Sequence, residues 1–123
     1  MSKYGNKRIE IDGIRFASQK EGYRYVELKY LQRLGVISDL RLQVKFELIP
    51  KMKSEKGKVI QPLTYIADFV YTENGKQIVE DVKGYKTQVY EIKKKLMRYV
   101  HGIEIKEVTD EQIAYHRKSY KRS

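Results

Sequence analysis

Asn74-Gly75 stands between two apolar runs, Leu63 to Tyr71 and Gln77 to Lys83. This dipeptide favours the two-residue type I′ turn, because both central positions need φ > 0. Such a turn fixes the register of both strands, so that Val70 faces Val79 and Asp68 faces Asp81. Directly opposed residues point to one side, with Cβ atoms roughly 4.5–5.5 Å apart. Two carboxylates are thereby set side by side in an otherwise apolar hairpin, and period two adds Lys83 to the same side, opposite Ile66. Opposed like charges destabilise a sheet, and partial burial makes this worse by removing hydration. A hard divalent cation relieves the conflict by taking carboxylate oxygens as ligands, whereas Lys83 alone offsets only part of it. A bulge would move the pairing by one residue.

The elements around this hairpin follow from local signals. Arg8 to Phe16 holds Asp12-Gly13 between Ile-rich flanks and reads as a small hairpin, preceded by a polar, loose stretch over residues 1–7. Ser18 with Glu21 forms a capping box for a first helix that stops at Gly35. Its apolar stripe is either Tyr25, Leu28 and Leu31 or Val26, Tyr30 and Leu34. Asp39 to Ile49 alternates strictly, with Leu40, Leu42, Val44, Phe46 and Leu48 in one set, and is expected to be a long strand with one face on the core. Pro50 ends it, and Lys51 to Gln61 is a mobile loop or a hairpin tip. Thr87 caps a second helix to about Val100, with Val89, Ile92, Leu96, Tyr99 and Val100 as the core-facing stripe and the lysines turned away. Ile103 to Val108 is a short last strand. Helix, three strands, helix, strand is a mixed α/β (α+β) plan, a mixed sheet with helices packed on it. The domain is expected over residues 8–108, followed by a basic tail over 109–123.

The chain has 26 Lys and Arg against 16 Asp and Glu, a formal charge of +10 on 123 residues. A field of that strength selects polyanions, since neutralising phosphates releases counterions. DNA is the expected partner, with Lys51, Lys53, Lys56, Lys58, Lys86, Lys93 and the tail as phosphate contacts and Tyr85 as a stacking ring. No apolar run approaches the roughly 18 residues of a membrane span, and no apolar leader opens the chain. With no Cys and only two His, disulfides and Cys-built zinc sites are excluded. A cytoplasmic protein is expected, with neither a membrane partner nor an organic cofactor.

Asp68, followed by Asp81-Val82-Lys83 on a paired strand, resembles the PD-(D/E)xK nuclease superfamily, with Ala67 where that motif loosely keeps Pro. Glu80-Asp81-Val82-Lys83-Gly84 resembles the second half of the motif in phage Holliday junction resolvases and transposon end-cleaving nucleases. Phe16-Ala17-Ser18-Gln19-Lys20-Glu21, Ser38-Asp39-Leu40-Arg41-Leu42-Gln43 and Tyr65-Ile66-Ala67-Asp68-Phe69 extend the likeness to a family of small phage and prophage proteins grouped with those nucleases. The resemblance implies a restriction-endonuclease-like αβββαβ core in a host cell's cytoplasm. It implies that Glu21, Asp68, Asp81 and the Val82 carbonyl bind one or two Mg²⁺ or Mn²⁺ ions. Lys83 would orient or deprotonate the attacking water, or stabilise charge on phosphorus. The implied activity is hydrolysis of DNA phosphodiester bonds. Selectivity for branched DNA is an analogy with the resolvases, and paired cuts would favour a homodimer. The alternatives are a non-catalytic nucleic-acid-binding module or a phage regulatory protein on the same fold.

The remaining residues carry plainer expectations. Glu80 falls on the opposite face from Asp81 and reads as an edge or surface carboxylate, unless a bulge makes it the ligand instead. Glu21 is fully explained by its cap and is assigned to the site by position. Gln43 lies on the polar face of the long strand, where the resemblance hints at a site role and an exposed glutamine is the plainer reading, and Lys93 on a helix face that either meets solvent or reaches the cleft. His101 is a helix C-terminal residue without a catalytic role.

Overall fold

A computed structural model describes residues 8–109 and Ile113. The polar start over residues 1–7 and, apart from Thr109 and Ile113, the basic tail lie outside the described residues. β1 (Ile9–Ile11) and β2 (Ile14–Phe16) form the first hairpin. Asp12 and Gly13 both have positive φ, 54° and 76°, as a type I′ turn requires. α1 (Gln19–Arg33) starts at Ser18, whose Oγ accepts from the Glu21 amide at 3.2 Å. The hairpin lies on α1 at Gly22, where a Cβ would meet Ile9 Cγ2 at 2.6 Å. Only a residue without a side chain permits that approach.

β3 (Ser38–Ile49), β6 (Leu63–Glu73), β7 (Lys76–Val82) and β8 (Lys106–Val108) make one sheet in the order β3-β6-β7-β8. The first three are antiparallel neighbours, and β8 runs parallel to β7 after crossing through α2 (Gln88–His101). β4 (Met52–Lys53) and β5 (Val59–Ile60) form a side hairpin, the second of the two readings of the loop after Pro50. The fold is α+β, a mixed central sheet flanked by two helices in the expected order αβββαβ. No helix among the described residues is long and apolar enough to cross a membrane.

Two apolar cores result. On the α1 side, Tyr25 and Leu28 pack with Phe16, Phe69 and Tyr71, which selects the first of the two α1 stripes. On the α2 side, Tyr90 and Met97 pack with Leu48, Tyr65, Ala67, Val70 and Val79.

The expectation of one buried face on β3 is corrected. Leu40 and Leu42 pack in the α1 core, whereas Val44, Phe46 and Leu48 pack in the α2 core. The alternating set changes sides at Gln43, whose φ is 52° in the middle of the strand. β6 changes sides at the same level, with Phe69 in one core and Ala67 in the other although both are odd-numbered. Alternation reports a face only while the backbone stays extended.

The stripe on α2 is also corrected. Met97 is 0% exposed and Tyr90 is buried, while Val89, Ile92, Val100 and Tyr99 are exposed, Tyr99 at 87%. The lysines do not all turn away: Lys94 Nζ lies 3.2 Å from Glu107 Oε2 on β8, and Lys93 lines the cleft beside the acids. Met97 and Tyr90 take the buried positions, and the Tyr90 hydroxyl and Lys94 both reach Glu107 on the neighbouring strand.

Candidate active site

The β6–β7 turn has φ of 53° at Asn74 and 73° at Gly75, and the register pairs Val70 with Val79 and Phe69 with Glu80. Asp68 and Asp81 are the next positions along. There the Val82 amide donates to Asp68 Oδ2 at 2.9 Å, so a carboxylate takes the donor beside the end of the pairing. Asp81 Oδ2 accepts from the Tyr65 hydroxyl at 2.5 Å and lies 3.4 Å from Lys83 Nζ. That ammonium also sits 3.9 Å from the centre of the Tyr90 ring, a cation–π contact.

The two acids are coupled. Burial, a hydrogen bond with Asp81 and the Asp81 charge push the Asp68 carboxyl up to about 8, against a partial counter-effect from the Val82 amide. At neutral pH the pair therefore holds a proton, as two carboxyls that cannot both ionise do. Glu21 is raised too, by burial and by the Asp81 charge, while Ser18 and Lys83 pull it down. The same burial, with the bond to Asp81, raises the Tyr65 hydroxyl and keeps it a donor.

These groups open on a cleft of about 380 Å³ walled by Glu21, Asp68, Asp81, Lys83 and Lys93 on its polar side and by Ile66 and Val89 on its apolar side. Convergent titratable groups with displaced proton affinities in one concavity mark a functional site.

A family model described as Protein of unknown function (DUF1064) matches residues 1–121. The chain belongs to this family. No curated protein matches it.

In this DUF1064 chain the expected site residues separate into groups. Glu21, Asp68, Asp81, Val82, Lys83 and Lys93 share the cleft. Lys51, Lys53, Lys56 and Lys58 are exposed on the β4–β5 hairpin and do not line it. Tyr85 is 84% exposed. Lys86 is pinned at 2.9 Å to Glu107 Oε1. Burial opposes ionisation of Glu107, but hydrogen bonds from Tyr90, Lys86 and Lys94 outweigh it and hold that carboxyl down to about 2. His101 ends α2, its Nε2 2.7 Å from the Glu47 carbonyl oxygen.

Glu80 of the DUF1064 chain is not an edge or surface carboxylate. It is fully buried beneath α1, where Arg24 donates to its two oxygens at 2.6 and 2.7 Å and Tyr71 donates at 2.6 Å. Arg24 also bonds Glu27. The opposite-face assignment holds, but α1 covers that face, and Arg24 is what makes a buried carboxylate tolerable. Arg24 stands 56 residues away in sequence, so no local pattern pairs it with Glu80.

Alternation along β6 puts Tyr65 on the other side from Asp68, so the sequence does not point to it as a site residue. The exchange of faces at Asp68 brings it over Asp81. The left-handed φ of Gln43, a sparsely populated state for such a residue that costs about 1–3 kcal/mol, also carries no sequence signal.

Proposed function

We propose that this DUF1064 chain is a metal-dependent DNA endonuclease of the PD-(D/E)xK kind, hydrolysing phosphodiester bonds. The observation that supports it is the coupled Asp68–Asp81 pair with Lys83 Nζ 3.4 Å from Asp81 in an open cleft.

The donor set suits Mg²⁺ or Mn²⁺. Among the described residues no group of three or more His, Asp or Glu side chains is placed to hold a metal ion by itself. Mg²⁺ does not need one, because it is usually held by one or two carboxylates together with substrate phosphates. Asp68 and Asp81 would hold the ion, with Glu21 on the cleft wall and the Val82 carbonyl as further oxygens. When bound, the ion supplies positive charge at the phosphate and acidifies water.

The chain's own groups do the rest. Tyr65 fixes Asp81 through one oxygen, and the Val82 amide fixes Asp68 through one. Lys83 presents a cation to a phosphate oxygen or a hydrogen bond to the attacking water. Glu21, with its raised proton affinity, can take a proton from that water. The net charge of +10 draws DNA to the protein, with Lys93 on the wall of the cleft.

Purified protein incubated with supercoiled plasmid, linear duplex, single strand and four-way junction tests this, each with Mg²⁺, Mn²⁺ or chelator. Cleavage by the wild type that needs the metal and is abolished in Asp81→Ala is expected. Preferential cutting of the junction would add branch selectivity and call for a homodimer. Salt-sensitive binding to DNA without cleavage of any substrate would replace the reading with a non-catalytic binding module.

A further inference from the structure

We propose that Gln43 is a positioning residue for Asp68, held in a disfavoured backbone conformation to keep its amide on the cleft acid. The inference rests on the nuclease reading. Four non-glycine residues among those described have positive φ: Asp12, Asp39, Gln43 and Asn74. Asp12 and Asn74 occupy hairpin turns, and Asp39 lies in the register shift that opens β3. All three are Asp or Asn, whose short polar side chains best tolerate left-handed backbone. Gln43 is neither, and it is in a turn of no kind: its neighbours Leu42 and Val44 are paired with Phe69 and Ala67.

The left-handed residue has a structural consequence, the exchange of faces along β3. Gly or Asn would produce the same exchange with less strain, so the backbone does not explain a glutamine. Its side chain does. Gln43 lies opposite Asp68, and its Nε2 is 3.4 Å from Asp68 Oδ1. The other oxygen, Oδ2, is taken by the Val82 amide. Two donors from the two flanking strands thus address the two oxygens of one carboxyl and fix its rotation. At 3.4 Å the Gln43 contact lies at the long end for an amide hydrogen bond. Partners of this type, which orient a ligand without touching the ion, typically change metal affinity by 10–100-fold.

The test compares wild type with Gln43→Gly, which suits the left-handed backbone and has no amide, and Gln43→Asn, which suits it and holds its amide one methylene short of the Gln43 position. Mn²⁺ affinity is measured by calorimetry or by loss of the free-ion paramagnetic signal, and melting is followed in chelator. Both variants are expected to melt no lower than wild type while binding Mn²⁺ roughly tenfold more weakly or worse. Wild-type affinity in both variants would overturn the proposal and leave the nuclease reading intact. A wild-type protein that binds no Mn²⁺ at all would overturn both.

Discussion

Glu80 and Asp81 are consecutive in β7 and belong to opposite layers of the molecule. Glu80 takes Arg24 and Tyr71 beneath α1, and Asp81 takes Tyr65 and Lys83 in the cleft on the α2 side. One carboxylate is locked into the fold, and its neighbour is left facing an open cavity.

Substitutions at the two positions should therefore separate. Glu80→Ala removes the carboxylate that takes two Arg24 bonds and the Tyr71 hydroxyl, and should lose about 3–5 kcal/mol in urea unfolding. Replacing the whole buried set at once, Glu80→Leu with Arg24→Met and Glu27→Leu, should recover most of that loss, because no buried charge is then left unpaired. Asp81→Ala should stay within about 1 kcal/mol of wild type and lose cleavage. A folded, stable Glu80→Ala would show that the buried ion pair is not what holds α1 to the sheet.

Asp68 sets a pH dependence whose sign is fixed. Its carboxyl rises from 3.8 to about 8 on folding, so the folded chain holds this proton more tightly than the unfolded one. The stability that it contributes is complete below pH 3.8 and is lost as pH rises towards 8. Asp68→Asn should flatten this slope and stabilise the chain at pH 8 by at least about 1.4 kcal/mol, the worth of one pKa unit. Mn²⁺ should raise the melting temperature of wild type at pH 8 but not that of Asp68→Asn. Unfolding curves at pH 5 and pH 8 with parallel responses in the two proteins would contradict the coupling.

The rotation of α2 predicts an inverted mutational pattern. Ile92→Lys and Tyr99→Lys, on the apolar but exposed stripe, should change stability by no more than about 0.5 kcal/mol. Met97→Ala empties a buried position and should lose about 2–5 kcal/mol. Chemical denaturation of the three variants checks both halves of the pattern.

Gly22→Ala places a methyl group 2.6 Å from Ile9 Cγ2 and 3.1 Å from Ile11 Cδ1. The β1–β2 hairpin must move off α1, and a loss of about 1–3 kcal/mol is expected. Amide exchange should report it first at residues 9–16. Unchanged protection there would mean that the hairpin can shift without penalty.

The exposed lysines of the β4–β5 hairpin predict a salt effect. Replacing Lys51, Lys53, Lys56 and Lys58 by Gln should weaken DNA binding and lower the slope of log K against log salt by about 0.9 for each phosphate contact removed. Cleavage at saturating DNA should be unchanged, because none of the four lines the cleft. A slope equal to that of wild type would place the DNA path elsewhere.

The parts of the site written into contiguous residues were legible. Asn74-Gly75 and Asp12-Gly13 both adopt the paired positive φ values their types favour, and Ser18 caps α1 over Glu21. Asp68 and Asp81 followed from the first of these turns without further information. Glu80 lies on the face that periodicity gives it but is buried there, and the stripe on α2 and the single buried face of β3 came out differently. Tyr65 could not be found at all without the exchange of faces at Asp68.

The difference lies in where the deciding energy resides. A tight turn or a helix cap is settled by sterics and hydrogen bonds within four or five residues, so the sequence by itself determined the hairpin register and with it the meeting of two acids. Burial is settled by whatever lies across the interface. Arg24 reaches Glu80 across 56 residues, Tyr90 and Lys94 of α2 meet Glu107 of β8, and β3 exchanges faces at the left-handed Gln43. Those choices belong to the tertiary structure, because a side chain's environment is made by partners that its own segment does not encode.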